Sequence, residues 1–228
     1  MLFSLVVVCA LVCSTTAIQF CLPEMLYEFA SDLTPTFGSG YVQISPVSSV
    51  PITGGVANFG GTGTIKYYKL SAMDWRGDNL LSFTFQPTDP SLVADVSLMS
   101  TSLADNAGSL MVTWSANQVK LKVILRLWNT TTLQFDTRTE MLTISGLDLS
   151  VVQSVRVTLE ATRIRFQSSP LIGGGAPTPL TLNLRHDEHI KIIGWDPLIF
   201  GAGTPTRYSG IFDEFAYFKC IPVDAFVP

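Results

Sequence analysis

The chain has 228 residues, with 14 Lys and Arg against 18 Asp and Glu, a formal net charge of −4 and a pI near 5.1. No basic run appears, which argues against nucleic acid and anionic membrane surfaces as partners. Charged residues make up only 14% of the chain, well below the roughly 25% of ordinary soluble domains. Much of the surface is therefore expected to be Ser, Thr, Asn, Gln and Gly, as in many extracellular β proteins.

The first seventeen residues have the pattern of a secretory signal peptide. Residues 2–12 form an apolar run interrupted only by Ser4, and residues 14–17 supply small side chains before a cleavage expected after Ala17. The run is too short to span a bilayer, which takes about 20 residues, and no later stretch is long and uncharged enough. We interpret residues 18–228 as a single domain of a secreted, extracellular protein.

Further along the chain, apolar and polar residues alternate with a period of two, which is typical of half-buried strands. The sets expected on inward faces are Leu81, Phe83 and Phe85; Val119, Leu121, Val123, Leu125 and Leu127; and Val155, Val157 and Leu159. In the last run Phe212, Ala216, Phe218 and Cys220 are expected on one face, against Asp213 and Lys219, and aromatic residues occur on both faces. Turn-forming residues separate these runs, and no amphipathic helix is evident. The pattern predicts an all-β protein, an antiparallel sandwich of two sheets.

Four segments resemble, in order, parts of laminin G-like domains. They are residues 79–89, similar to an early aromatic strand; 108–124, similar to a hairpin; 154–166, similar to a strand pair; and 193–219, similar to the closing segment with its glycine-rich turn and final strand. The resemblance implies a concanavalin A-like jelly roll, a fold shared with pentraxins, legume lectins, galectins and several glucanases. Because such folds serve many functions, it implies no single activity.

Four cysteines divide into two pairs. Cys9 and Cys13 lie in the predicted signal peptide, whereas Cys21 and Cys220 bracket the mature chain. In a jelly roll the first and last strands are neighbours, so the resemblance implies a disulfide between Cys21 and Cys220. Intermolecular bridges and free thiols are the alternatives that the sequence leaves open.

Two short motifs suit an extracellular protein. Asn129 begins the sequon Asn129-Thr130-Thr131, which predicts N-glycosylation at that residue. Arg76-Gly77-Asp78 is the tripeptide that integrins bind through its guanidinium and carboxylate groups. A generic turn before the next strand is the alternative interpretation of this tripeptide.

Two parts of the sequence contain candidate metal ligands. His186 and His189 enclose Asp187 and Glu188, but catalytic zinc needs three protein ligands plus an open position, and no second cluster completes such a site. We therefore favour a solvated polar turn there. Calcium is a possible cofactor because it binds oxygen ligands, and the candidates on the sandwich rim are Asp95, Asp105, Asn106 and Asp148.

Catalysis is not expected from this chain. Retaining glycoside hydrolases need two carboxylates about 5 Å apart, whereas residues adjacent on a strand, as in Asp187-Glu188 and Asp213-Glu214, point to opposite faces. A nucleophilic triad also fails, because the two mature cysteines are expected to pair and only two clustered histidines remain.

The expected function is therefore a secreted binding or adhesion module that recognises a glycan or a matrix protein through the sandwich rim or the concave face. Trp114, Trp128 and Trp195 are candidates to stack on sugar rings. Trp128 is the best of them because it is out of phase with the face of Leu127. The alternative is a structural, self-assembling component of an extracellular matrix or coat, in which the chain forms a homo-oligomer.

Overall fold

The computed structural model describes residues 21–30, 32, 35–38, 42–45, 50–68, 75–102, 108–173, 177–191, 197–201 and 207–222. The predicted signal peptide lies outside this part of the chain, as do Asp105, Asn106 and Trp195. Within these ranges no helix is long and apolar enough to cross a bilayer. The secondary structure that organises them is β-strand.

The strands in chain order are β1 (Met25–Tyr27), β2 (Phe37–Gly38), β3 (Val42–Ser45), β4 (Ile52–Thr53), β5 (Val56–Gly60), β6 (Thr64–Tyr67), β7 (Asn79–Pro87), β8 (Val96–Ser100), β9 (Leu110–Ser115), β10 (Gln118–Asn129), β11 (Gln134–Ser145), β12 (Gln153–Leu159), β13 (Arg163–Pro170), β14 (Leu180–Asn183), β15 (His189–Ile190), β16 (Leu198–Phe200) and β17 (Ser209–Phe218).

These strands form two antiparallel sheets. The first sheet has the order β14-β13-β12-β7-β17-β1-β2, with β5 on β17 and β4 on β5. The second has the order β11-β10-β9-β8-β16-β6-β3, with β15 on β10. The predicted all-β class, an antiparallel sandwich of two sheets in the jelly-roll style, is confirmed.

Alternation in the sequence places the core correctly along most strands. Val119, Leu121, Val123 and Leu125 of β10 are fully buried, and the predicted inward residues of β7 and β12 join them in one cluster. A one-residue slip of β10 would move this whole set to the surface, so burial specifies its register.

Aromatic rings connect the two sheets at Phe200. Its ring centroid lies 4.2 Å from that of Phe212, 5.1 Å from that of Phe215 and 5.3 Å from that of Phe83. Phe200 belongs to the second sheet and the other three rings to the first. Tilted and edge-on contacts at these distances are the favoured geometries for aromatic pairs.

The last strand departs from the predicted alternation because it contains a β-bulge. Its register on β7 shifts between Asp213 and Ala216, and Glu214 adopts a positive φ of 52°. An extra residue reverses which face the following side chains occupy. Phe215 and Tyr217 therefore share the inward face of Phe212 and are buried in the core, which corrects the single face predicted for Phe212, Ala216, Phe218 and Cys220.

The two ends of the described chain meet. β1 pairs with β17 in an antiparallel register that sets Met25 opposite Tyr217. Just beyond this pairing a disulfide joins Cys21 to Cys220, whose Cα atoms are 5.7 Å apart. Closing a loop of nearly 200 residues (the separation is 199) stabilises a fold by about 5 kcal/mol in the chain-entropy model.

The bulge carries a titratable group. Burial raises the pKa of Asp213 to about 6; a hydrogen bond from the Glu214 N–H opposes this rise, whereas the nearby carboxylates of Glu214 and Glu28 add to it. An unfolded Asp ionises near pH 4. The folded state therefore holds the proton more tightly, and ionising Asp213 destabilises the fold progressively as pH rises from about 4 to about 6.

We predict that Asp213→Asn raises the midpoint of thermal unfolding relative to the unsubstituted protein above pH 6, and that the difference disappears near pH 4. Asp89→Asn is the control with the opposite sign, because hydrogen bonds from Ser91 lower the pKa of Asp89. Calorimetric melting at a series of pH values measures the unfolding midpoints of both variants. A gain for Asp213→Asn that is equal at pH 4 and pH 7.5 would contradict the assigned cause.

Candidate functional site

A cleft of about 360 Å³ opens at one end of the sandwich, where β7 begins and β10 and β12 end. It lies between the two sheets and takes wall residues from four segments. They are Trp75, Arg76 and Gly77; Trp128; Leu159, Glu160, Ala161 and Ile164; and Leu184, Asp187, Glu188, His189 and Ile190. An apolar wall with a few polar groups is the usual composition of a small-molecule site.

An ion pair holds the segment before β15 in place. Glu188 is buried, and its two carboxylate oxygens accept hydrogen bonds from Nε and a terminal nitrogen of Arg138, both at 2.7 Å. The same guanidinium contacts Glu140 at 2.8 Å and donates to the carbonyl oxygen of Asn183 at 3.2 Å. Arg138 lies on β11 of the second sheet and Asn183 on β14 of the first, so this pair connects the two sheet edges beside the cleft.

The environment of Glu188 favours its charged form. Burial by itself would raise the pKa of the carboxyl, but hydrogen bonds from Arg138 and from the Arg185 backbone N–H, with the charge of both arginines, bring the pKa below its ordinary value. A bidentate guanidinium–carboxylate pair is the strong form of such an interaction. Glu188 therefore stays ionised and anchored at neutral pH.

The turn between β14 and β15 brings part of the His-Asp-Glu-His segment to the cleft. Asp187 has a positive φ of 61°, and the Glu188 N–H donates to the carbonyl oxygen of Arg185 at 3.0 Å. Asp187, Glu188 and His189 line the cleft, whereas His186 does not. His186 projects into solvent, with Nδ1 at 2.8 Å from Asp187 Oδ2. No group of three metal-binding side chains occurs in the described ranges.

His189 is tied to β10 through its ring. Arg126 Nε donates to His189 Nε2 at 3.0 Å, which requires a lone pair on Nε2. Nδ1 lies 3.1 Å from the carbonyl oxygen of Asp187, so the arrangement assigns the proton to Nδ1. With both nitrogens engaged, His189 positions the turn rather than offering a free polar group to a ligand.

Trp128 is the exposed aromatic of the cleft wall, with 47% of its surface accessible. It sits opposite Phe135 in the β10–β11 register, and the two rings meet edge to face at 5.0 Å. The Arg126 guanidinium lies 4.3 Å from the centroid of Phe135, a cation–π distance. Trp114, also a candidate from the sequence, is instead buried in the core.

The Arg76-Gly77-Asp78 tripeptide forms a held turn at the cleft. Gly77 adopts a φ of 80°, a conformation that favours glycine. Asn79 Nδ2 donates to the carbonyl oxygen of Gly77 at 3.1 Å, and Tyr217 donates its hydroxyl to Asn79 Oδ1 at 2.7 Å. The side chains of Arg76 and Asp78 are exposed. A buried amide thus holds the backbone of the turn while both charged side chains face solvent.

The remaining predicted sites lie away from the cleft lining. Asn129 ends β10, where Oδ1 accepts hydrogen bonds from Thr131 and Thr132, and its glycosylation stays a prediction. Asp95 forms an ion pair with Lys120 at 2.7 Å. Asp148 Oδ1 accepts from the backbone and hydroxyl of Ser150, so these two calcium candidates are engaged on different loops.

Sequence reasoning missed two contributors to the site. Glu160 lies in the turn between β12 and β13, where its carboxylate accepts from Arg163 at 2.7 Å and Arg165 at 2.6 Å. Arg138 reaches Glu188 across 50 positions of sequence. The local sequence pattern contains no signal for the second contact, because sheet pairing and stacking create it.

No protein-family model matches this chain, and no curated protein matches it. Solved structures do share its fold. A binding domain of botulinum neurotoxin DC in complex with rat synaptotagmin II superposes with a TM-score of 0.61 at 11% identity, over 90% of this chain and 50% of that one.

Two further structures agree. A binding domain of the same toxin in complex with SialylT gives a TM-score of 0.56 at 11% identity, over 86% of this chain and 47% of that one. The serotype D binding domain gives 0.57 at 8% identity, over 87% and 48%. This chain spans about half the length of these structures. The likeness shows a jelly-roll-like β-sandwich and does not extend to the laminin G family in particular.

We predict that Glu188→Gln lowers the free energy of unfolding at pH 7 by about 1–3 kcal/mol, because it takes from the partly buried Arg138 its buried, bidentate charged partner. Glu140→Gln is the matched control: its carboxylate contacts the same guanidinium but is more exposed, so its effect should stay below about 1 kcal/mol.

The pH dependence of this effect has a defined sign. A carboxyl with a lowered folded pKa stabilises the fold above its unfolded pKa of about 4.3, and that stabilisation is lost as pH falls through the folded value. The difference between Glu188→Gln and the unsubstituted protein should therefore shrink below about pH 4. Urea unfolding at pH 7 and at low pH checks this, and a difference that grows in acid would refute the assignment.

Proposed function

We propose that this protein is a secreted binding module, a single sandwich domain, that holds a glycan in the cleft beside Trp128. The observation that carries the proposal is a half-exposed tryptophan on the wall of a cleft of suitable volume. Sugar rings present an apolar face of C–H groups, and an indole ring offers a flat apolar surface to cover it. The edge-to-face contact with its neighbour Phe135 restricts the orientations of the tryptophan.

The polar groups of the cleft favour a neutral saccharide. Asp187 supplies exposed carboxylate oxygens with several acceptor positions for sugar hydroxyls, whereas the Glu160 carboxylate is already held by Arg163 and Arg165. Arg138, Arg163 and Arg165 are in turn paired with Glu188 or Glu160. Arg76 is the arginine of the described cleft lining, against the carboxylates of Glu160, Asp187 and Glu188, and this excess of negative charge makes an anionic sugar a poorer partner than a neutral one.

The comparisons support a binding role in general terms. The solved structures of similar fold are binding domains, one in complex with SialylT and another with rat synaptotagmin II. Acid–base cleavage of a glycosidic bond needs carboxyl groups that are free to exchange a proton. In this cleft the carboxylates of Glu160 and Glu188 are both paired with arginines. We therefore propose binding rather than catalysis.

We predict that Trp128→Ala weakens binding to a neutral oligosaccharide by roughly 10- to 100-fold, the loss expected for removing one buried aromatic contact. The matched control is Ile172→Ala, which removes an 87% exposed side chain next to the other end of β13 and should leave the affinity unchanged. A glycan array identifies the ligand, and titration calorimetry measures the affinity of each variant for it. Equal affinities for both variants, or an array with no neutral hit, would contradict the proposal.

A second candidate function rests on the exposed tripeptide turn. Arg76 and Asp78 are both exposed on a turn whose backbone Asn79 anchors, and an exposed, extended presentation is what integrin recognition requires. Cell adhesion to a surface coated with this protein would then depend on the length of the Asp78 side chain, which sets the position of its carboxylate.

We predict that Asp78→Glu abolishes integrin-dependent adhesion while the folding midpoint stays the same, because charge and exposure are retained and only the reach changes. The control is Asp89→Glu, on an exposed turn elsewhere. Adhesion that is equal for both variants, or that survives competition by a soluble peptide containing the tripeptide, would exclude this role. Glycan binding by Asp78→Glu is expected to remain intact.

A further inference from the structure

Among the described strands, β11 is the longest that ends a sheet with a partner on one side only. It pairs with β10 over residues 134–145, and among the described strands it has no backbone partner on its other side. β14 of the opposite sheet is nearby, but the hydrogen bond between them runs from the Arg138 side chain to the Asn183 carbonyl oxygen. In the described part of the chain, the outer backbone groups of this edge therefore have no strand paired to them.

The structure defines which backbone groups this edge offers. Ile124 of β10 donates its N–H to Ser109 and accepts from the N–H of Lys191 through its carbonyl oxygen, so both groups point away from β11. Thr139 lies opposite Ile124 in the register. Since the two groups of a residue in an antiparallel strand point to one side and alternate along the chain, Thr139 directs its N–H and C=O outward. The other odd-numbered residues of β11 do the same.

β11 lacks most of the usual protections against pairing, although Asp136, Arg138 and Glu140 place charges on its even-numbered face. Natural edges are blunted by prolines, bulges, short strands or exposed charges. β11 has twelve residues, no proline and an unbroken register with β10. Its odd-numbered side chains are exposed and uncharged; they are Phe135, Thr137, Thr139, Met141, Thr143 and Ser145. Such an edge is a template for another strand.

We propose that β11 is a self-association edge, which pairs antiparallel with β11 of a second copy around a two-fold axis at Thr139. This register sets Thr139 opposite Thr139, Thr137 opposite Met141 and Phe135 opposite Thr143. The two sheets then join into one continuous sheet, and an isologous contact of this kind closes as a dimer. The proposal reaches beyond ligand binding, since it supplies two clefts per assembly and hence avidity for a multivalent surface.

Charge complementarity selects this register. With the axis at Thr139, Arg138 of each copy, already bound to Glu188 and Glu140 of its own chain, also has Glu140 of the other copy directly opposite. An axis at Arg138 or at Glu140 sets a like charge directly opposite itself, which is destabilising. An axis at Thr137 also pairs opposite charges, Asp136 with Arg138, but it overlaps residues 134–140 alone, whereas the axis at Thr139 overlaps residues 134–144.

Sedimentation velocity of the full, disulfide-bonded chain over about 1 to 200 µM tests the association itself. The unsubstituted protein should shift from monomer to dimer within that range. Thr139→Pro removes an outward N–H without taking a bond from the β10 ladder, so it should remain monomeric with its folding midpoint nearly retained. Thr139→Val keeps the N–H and the strand propensity, and it should dimerise as before.

Single cysteines test the register. Residues that exchange hydrogen bonds across an antiparallel pair have Cα atoms about 5.5 Å apart, within disulfide range. Thr139→Cys should therefore give a dimer linked through residue 139 on mild oxidation. Thr137→Cys should not link to itself, because its two copies are four positions out of register, or about 13 Å apart. Mass spectrometry of nonreduced peptides identifies the linkage and checks that Cys21–Cys220 is intact.

Three outcomes overturn the proposal. They are a protein that is monomeric throughout the concentration range, a dimer that Thr139→Pro leaves unchanged, and cross-linking through residue 137 as fast as through residue 139. The first would leave β11 open to an extended segment of a different protein instead. A dimer that survives Thr139→Pro would place the contact on another surface.

Discussion

Phe200 connects the two sheets, and the rest of the sandwich depends on that contact. Its ring packs against Phe83, Phe212 and Phe215 of the opposite sheet at centroid distances of 4.2–5.3 Å. β16 is only three residues long, so its position follows from this packing and from its two neighbouring strands. The glycine after it, Gly201, is equally constrained: a Cβ there would collide with the ring of Phe59 and the carbonyl oxygen of Gly63.

The bulge in β17 follows from the same requirement. By inserting one extra residue, it turns Phe215 and Tyr217 toward the core that Phe200 already occupies. The cost is a left-handed conformation at Glu214 and a half-buried carboxyl at Asp213. Tyr217 then reaches Asn79 with its hydroxyl, and Asn79 holds the Arg76-Gly77 backbone on the cleft. The packing of Tyr217 in the interior thus fixes the Arg76-Gly77 backbone in the wall of the cleft.

Where the sheets separate at the cleft, an ion pair replaces aromatic packing. Taking Glu188 and Arg138 out of water costs free energy, which their mutual bidentate contact offsets only when the geometry is good. Here both bonds are 2.7 Å long, and the guanidinium makes two more contacts. The ion pair therefore matters more for the position of the turn between β14 and β15 than for the stability of the fold. It sets the turn that carries Asp187 and His189 against the end of β10, beside Trp128.

Strand content and the buried faces followed from residue order, because side chains on a strand alternate and a misplaced register exposes whole rows of hydrophobic residues. This holds for β7, β10 and β12, where no residue interrupts the alternation. The same reasoning placed Trp128 on the accessible side of β10. It misassigned β17 after Phe212, since a bulge depends on the neighbouring strand. It also kept Trp114 as a candidate for stacking on a sugar ring, although Trp114 is buried in the core.

By itself, then, the sequence determined an all-β antiparallel sandwich, most of its inward faces and the residue types available for recognition. Those properties arise from contacts within one strand or between neighbours. Only the tertiary structure decided which of them share a site. Trp128, Gly77, Glu160 and His189 belong to segments far apart in the chain, and they meet because two sheets stack and a partly buried ion pair closes the gap between them. Contacts of that kind are set by packing, which no local pattern encodes.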